Sequence, residues 1–63
     1  MKLYVPIPSV FKFQPLFDDN EYLQKYLTQD PRTMSVWYIE EGIDMEKLKK
    51  ILADNNINYK IKK

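Results

Sequence analysis

Apolar and polar residues alternate at both ends of the chain and recur at helical spacing between them. At residues 2–8, Leu3, Val5 and Ile7 alternate with Tyr4, Pro6 and Pro8. That period of two predicts a strand. The two prolines remove two ladder donors, so the segment reads as an edge strand or an extended lead-in. The alternation continues through Phe11 and Phe13 as far as Pro15. Residues 1–15 therefore read as a stiff, proline-containing extended arm or edge strand.

The next pattern is helical. Tyr22, Leu23, Tyr26 and Leu27 form one apolar stripe within residues 18–29. Asp18 stands at the N-cap with Glu21 three residues on, and Phe17 and Tyr22 flank the cap as a hydrophobic staple. Asp30-Pro31 ends the helix, because the residue before proline resists the helical region. Residues 34–40 then read as a central strand. Val36 and Tyr38 share one face, Trp37 and Ile39 the other, and a strand apolar on both faces is central or covered on both sides. Gly42, the lone glycine, sits in the turn that follows.

Asp44 begins a second helix over residues 45–55, with Met45, Leu48, Ile51 and Leu52 as its buried stripe. Asn55-Asn56 suits a left-handed stop. Ile57, Tyr59 and Ile61 alternate with Asn58, Lys60 and Lys62, which predicts a half-buried strand over residues 57–62. The order is β-α-β-α-β. The link from residue 40 to residue 57 is long enough for a right-handed parallel crossover. The expectation is one small α+β (α/β-like) domain over residues 1–63. Its sheet has three strands, mixed or partly parallel, with both helices on one face and an apolar face left open.

Size sharpens the question of that open face. At 63 residues, such a chain buries only about 60% of its unfolded surface. Small domains compensate with disulfides, metals or partners. With no Cys and no His, disulfides are excluded and zinc lacks its usual ligands. What remains is a dense aromatic core or a partner. One Trp, five Tyr and three Phe supply the rings. The absence of Cys fits a reducing compartment. The first apolar run is too short and too proline-broken for a signal or membrane segment, so a cytoplasmic protein without a membrane role is expected. Abundant Lys, Asn, Ile and Tyr point to an A/T-rich genome, bacterial or phage.

Charge is divided although its net is only +1. Residues 18–46 hold eight acids against two bases, and residues 47–63 hold six lysines against Asp54. Helix termini favour acids first and bases later, which explains much of this.

Catalysis finds little support. There is no histidine to act as base and no cysteine to act as nucleophile. Ser9 and Ser35 lie outside any nucleophile elbow, and one glycine cannot build a phosphate loop. A non-enzyme is expected, with no cofactor and no metal. A carboxylate metal site at Glu40, Glu41 and Asp44, beside Glu46, is the least favoured reading. Capping by Asp44 and a dipole role for Glu46 account for two of those acids.

The favoured expectation is a protein-binding module: an adaptor, an inhibitor or an assembly subunit that also forms a homodimer. Its contact residues would be Tyr4, Phe11, Phe13 and Trp37. The alternative is nucleic-acid binding through Lys47, Lys50, Tyr59, Lys60, Lys62 and Lys63, with rings that stack on bases. A near-neutral pI of 7.9 and a single arginine weigh against it.

Overall fold

A computed structural model describes residues 1–63. The elements are β1 (Lys2–Tyr4), α1 (Val10–Asp19), α2 (Glu21–Tyr26), β2 (Leu27–Gln29), β3 (Val36–Ile39), α3 (Met45–Asp54) and β4 (Lys60–Lys62). This is an α+β domain, but the sheet has four strands rather than three. Its order is β2-β3-β1-β4, and every neighbouring pair is antiparallel. The parallel pairing expected across α3 is therefore absent. β3 and β4 do run in the same direction, yet β1 lies between them and opposes both. β1 and β2 stand in the same relation across β3. Two split β-α-β units thus interleave.

β1 is an interior strand, not an edge or an arm. Pro6 and Pro8 fall beyond it, so Lys2, Leu3 and Tyr4 keep their donors for two partners. The Val5 N–H still reaches the Ser35 carbonyl, at 2.8 Å. The Ile7–Pro8 bond is cis.

Residues 10–15 are helical rather than extended. α1 starts after buried Ser9, whose carbonyl accepts from the Phe13 N–H at 3.0 Å. The Ser9 Oγ accepts from the Asn58 N–H at 3.1 Å and ties this start to the lead-in of β4. Pro15 sits inside the helix. It withholds one donor from the carbonyl of Phe11, but both residues are exposed and water can serve that oxygen. The helical path places Val10, Phe13 and Phe17 on one side. An extended path would have paired Phe13 with Phe11, which points to solvent instead.

The helix expected over residues 18–29 is also redrawn. Asp18 lies within α1, and the break falls at extended Asn20 (φ −118°, ψ 109°). Asn20, not Asp18, caps α2, accepting from the Leu23 N–H at 3.1 Å. Leu27 is already extended (φ −123°, ψ 136°). Residues 27–29 leave the helix to pair with β3, Leu27 opposite Ile39. That ladder satisfies an edge that would otherwise expose its backbone groups.

α3 is the most locally determined element. The Asp44 carboxylate accepts from the Glu46 and Lys47 N–H groups at 3.1 and 3.2 Å, the usual duty of an N-cap. Gly42 has φ 89° and Asn56 has φ 56°, so each takes a left-handed position that few other residues accept cheaply.

All three helices cover one face of the sheet. Leu3, Leu27, Trp37 and Ile39 point into it and join one cluster of eleven buried apolar residues. Trp37 is its centre. Its ring packs edge-on to Phe13 with centroids 4.6 Å apart at 89°, and lies 5.9 Å from Phe17. The indole N–H has no hydrogen-bond partner.

Deleting a buried Trp side chain costs about 3–5 kcal/mol. At about 0.05–0.15 kcal/mol per residue, a domain of this length has about 3–9 kcal/mol in total, so the loss takes most of it. Trp37→Ala is therefore expected to unfold the protein at room temperature. Trp37→Phe forfeits no hydrogen bond and should leave a cooperative, weakened fold. Urea melts followed by far-ultraviolet circular dichroism check both.

Candidate functional site

The pleat that turns Trp37 inward turns its neighbours outward. The uncovered face of the sheet carries Thr28 from β2, Val36 and Tyr38 from β3, Lys2 and Tyr4 from β1, and Lys60 and Lys62 from β4. The apolar open face expected from the strand pattern is not there. Val36 supplies the one aliphatic side chain, and Thr28, two tyrosines and three lysines supply the rest.

Register interleaves these groups. Lys2 lies opposite Tyr38 on one side and Lys62 on the other. Tyr4 lies between Val36 and Lys60. The two tyrosines are thus diagonal neighbours on adjacent strands, about 7–8 Å apart by ordinary sheet geometry. The Lys2 ammonium sits 5.6 Å from the centroid of the Tyr38 ring. None of the strand residues is acidic. The acids of the chain lie on the helices and turns, which also carry Lys12, Lys25, Lys47, Lys49 and Lys50.

Tyr38 is anchored at its hydroxyl. It donates to Asp30 Oδ2 at 2.7 Å and accepts from Arg32 Nη2 at 3.3 Å. Arg32 also grips Asp30 directly. Nη2 reaches Oδ2 and Nε reaches Oδ1, both at 3.2 Å, and the backbone N–H reaches Oδ1 at 2.8 Å. The Asp30 side chain is 5% exposed and the Arg32 side chain 81% exposed. The Arg32 side-chain and backbone donors, then the Tyr38 hydroxyl, hold the Asp30 carboxyl far below the ordinary carboxylate range. The same bond to Asp30 raises Arg32 above its usual value. Beside this cluster lies an open recess of about 340 Å³, lined by residues 29–34.

Of the four residues expected to meet a partner, two are not on the surface. Phe13 and Trp37 are fully buried, because the core of so short a chain needs its largest rings. Tyr4 is 37% exposed on the outer sheet face, and Phe11 is 62% exposed on α1. The basic set is divided as well. Lys60 and Lys62 lie on the outer face, while Tyr59 packs partly against the core. Lys47 is on the helix layer, 4.1 Å from the Tyr22 ring, and Lys50 pairs with Asp54 at 3.3 Å. Lys63 is exposed at the end of the chain. Glu40, Glu41 and Glu46 are exposed, and Asp44 is occupied by its cap. No group of three or more such side chains is placed to share a metal ion. Lys2, Tyr38, Asp30 and Arg32 were missed by the sequence reading. The alternation at residues 2–8 marks Lys2 and Tyr4 as sharing a face, but only register brings Tyr38 beside them.

A depressed carboxyl stabilises the folded state fully above its unfolded value, about 3.9 for Asp. That contribution is lost as pH falls below it. The thermal midpoint should therefore drop between about pH 4 and pH 2, and Asp30→Asn should flatten that drop while lowering the midpoint at neutral pH. An unchanged pH profile in the variant would remove Asp30 from this role. No protein-family model, no curated protein and no solved structure matches the chain.

Proposed function

We propose that the protein binds single-stranded nucleic acid across the outer face of its sheet. Tyr4 and Tyr38 serve as stacking platforms, and Lys2, Lys60 and Lys62 meet the phosphates. The observation that carries this reading is the interleaving of three lysines with two tyrosines on one sheet face, where the Asp30 carboxylate at the Tyr38 hydroxyl is paired with Arg32. Aromatic platforms in a cationic track are how single strands are held without sequence reading. The diagonal spacing of the rings exceeds the roughly 3.4 Å rise between stacked bases of a duplex strand, so it suits bases already unstacked. Lys2 leaves the Tyr38 ring at small cost, since an exposed cation–π contact is worth about 0.5–1 kcal/mol.

Each phosphate neutralised on a single strand contributes about 0.7 to the salt slope of the binding constant. Three lysines give a slope near 2, and Lys60→Gln with Lys62→Gln should reduce it by about 1.4. Lys47→Gln and Lys50→Gln, on the other layer, should leave it unchanged. Fluorescence anisotropy with short RNA and DNA oligonucleotides at several salt concentrations reads the slopes. Absence of binding to either would reject the reading, as would a slope indifferent to Lys60 and Lys62.

A second reading is favoured by a separate observation. Ile7 and Phe11, four residues apart, are 63% and 62% exposed. A protein partner, in the simplest case a second copy of the chain, would cover them. Sedimentation equilibrium at micromolar concentration is expected to show a dimer that Phe11→Ser dissociates. A wild-type monomer throughout that range would discard the homodimer.

A further inference from the structure

β4 is the open edge of the sheet, and the ladder shows which of its backbone groups are unspent. On β1, the Met1 carbonyl accepts from Ile39 and the Val5 N–H donates to Ser35, both toward β3. Backbone groups alternate in direction along an antiparallel strand, so Lys2 and Tyr4 turn theirs toward β4, where they meet Lys62 and Lys60. The Asn58 N–H, two residues before Lys60, turns the same way and finds Ser9. Tyr59 and Ile61 therefore direct their N–H and C=O groups outward, with the Lys63 N–H next in line. None of these groups has a partner. At the opposite edge, β2 leaves α2 directly, and the Leu27 N–H is spent on the Leu23 carbonyl.

A row of unpaired donors and acceptors is a template for another strand. The side chains decide which strand. Lys60 and Lys62 stand on the outer face, with Lys2 beside Lys62 on β1. No residue of β4 or of β1 is acidic. A second copy laid antiparallel on this edge, with Ile61 on the two-fold axis, would set lysine against lysine at both positions. Like charges directly opposite are destabilising. The lysines that refuse a second copy attract carboxylates. On the helix side, Tyr59 and Ile61 pack partly against the core, so that side of an added strand is apolar.

We infer that the outer edge of β4 receives an extended peptide in which acidic residues alternate with aliphatic ones, added as a further antiparallel strand. Its aliphatic residues lie opposite Tyr59 and Ile61 and exchange hydrogen bonds with them. Its acidic residues lie opposite Lys60 and Lys62 in the non-hydrogen-bonded pairs, where facing Cα atoms are about 4.5 Å apart rather than about 5.5 Å. The ion pairs thus fall at the closest positions of the ladder. Main-chain bonds supply affinity, and the alternate side chains supply selectivity. The contact lies in the plane of the sheet and uses neither Tyr4 nor Tyr38, so it goes beyond the nucleic-acid reading and does not depend on it.

The test titrates the full chain with a short blocked peptide of alternating glutamate and valine, followed by ¹⁵N NMR and amide hydrogen exchange. The Tyr59 and Ile61 amides should shift and slow in exchange, whereas the Lys60 and Lys62 amides, already in the ladder to β1, should slow little. N-methylation of the valines removes the donors that face β4 and should abolish binding. N-methylation of the glutamates blocks only the far edge of the added strand and should leave binding intact. Lys60→Glu with Lys62→Glu should weaken the glutamate peptide about tenfold and admit a lysine–valine peptide that the wild type refuses. Equal binding by the two methylated peptides would reduce the contact to charge attraction and overturn the added strand, as would no binding at millimolar peptide. Protection of Tyr59 and Ile61 that grows with protein concentration alone would place a second copy on this edge and overturn the acidic occupant.

Discussion

The edge-on contact between Trp37 and Phe13 is the constraint around which the domain closes. It joins the middle of the sheet to the first helix and joins residues far apart in sequence. For Phe13 to reach Trp37 with Val10 and Phe17 alongside, residues 10–19 must turn helically, through Pro15. The single missing donor is tolerated because the affected carbonyl faces water, so a proline that ordinarily ends a helix is carried by packing instead. With a ring pair of this size inside, a 63-residue chain gathers a core of eleven buried apolar residues. The same commitment removes both rings from the set of residues able to greet a partner.

The inward turn of Trp37 also fixes the character of the opposite face. Strand side chains alternate, so turning Leu3, Trp37 and Ile61 toward the helices turns Lys2, Tyr4, Tyr38, Lys60 and Lys62 the other way. Nothing about that surface is independent of the core. Any register slip in β1 or β3 would both expose the core and scatter the tyrosines and lysines. Core and candidate surface are two readings of one pairing pattern.

What could be read from the chain follows from this. α3 is legible because its determinants are local: the Asp44 cap, a stripe at helical spacing, and Asn56 as a left-handed stop. The centrality of β3 is legible because a strand apolar on both faces needs cover. The rest depends on partners distant in sequence. Leu27 sits at the end of a convincing helical stripe, yet β3 draws it into a strand. Asn20 is a better breaker than Asp18 only once α1 has run into it from Val10. The prolines near β1 argue for an edge if they lie within the strand, and they argue nothing once they lie two and four residues past it. The candidate site suffers most, since Lys2, Tyr38 and Lys62 become neighbours through register alone.

One pairing described above bears on how the chain is made. β1 is the first element and β4 the last, and Lys2 lies opposite Lys62. One side of β1 therefore stays open until the final strand has been synthesised. Contacts of such long sequence separation slow folding, because loop closure must precede their reward. On a ribosome, the helices and the β2–β3 hairpin can assemble early around Trp37. The ladder to β4 and the bond from Asn58 to Ser9 wait until residues 58–62 have emerged. The outer sheet face gains Lys60 and Lys62 only then, so the lysines and tyrosines of that face come together as a late act of folding.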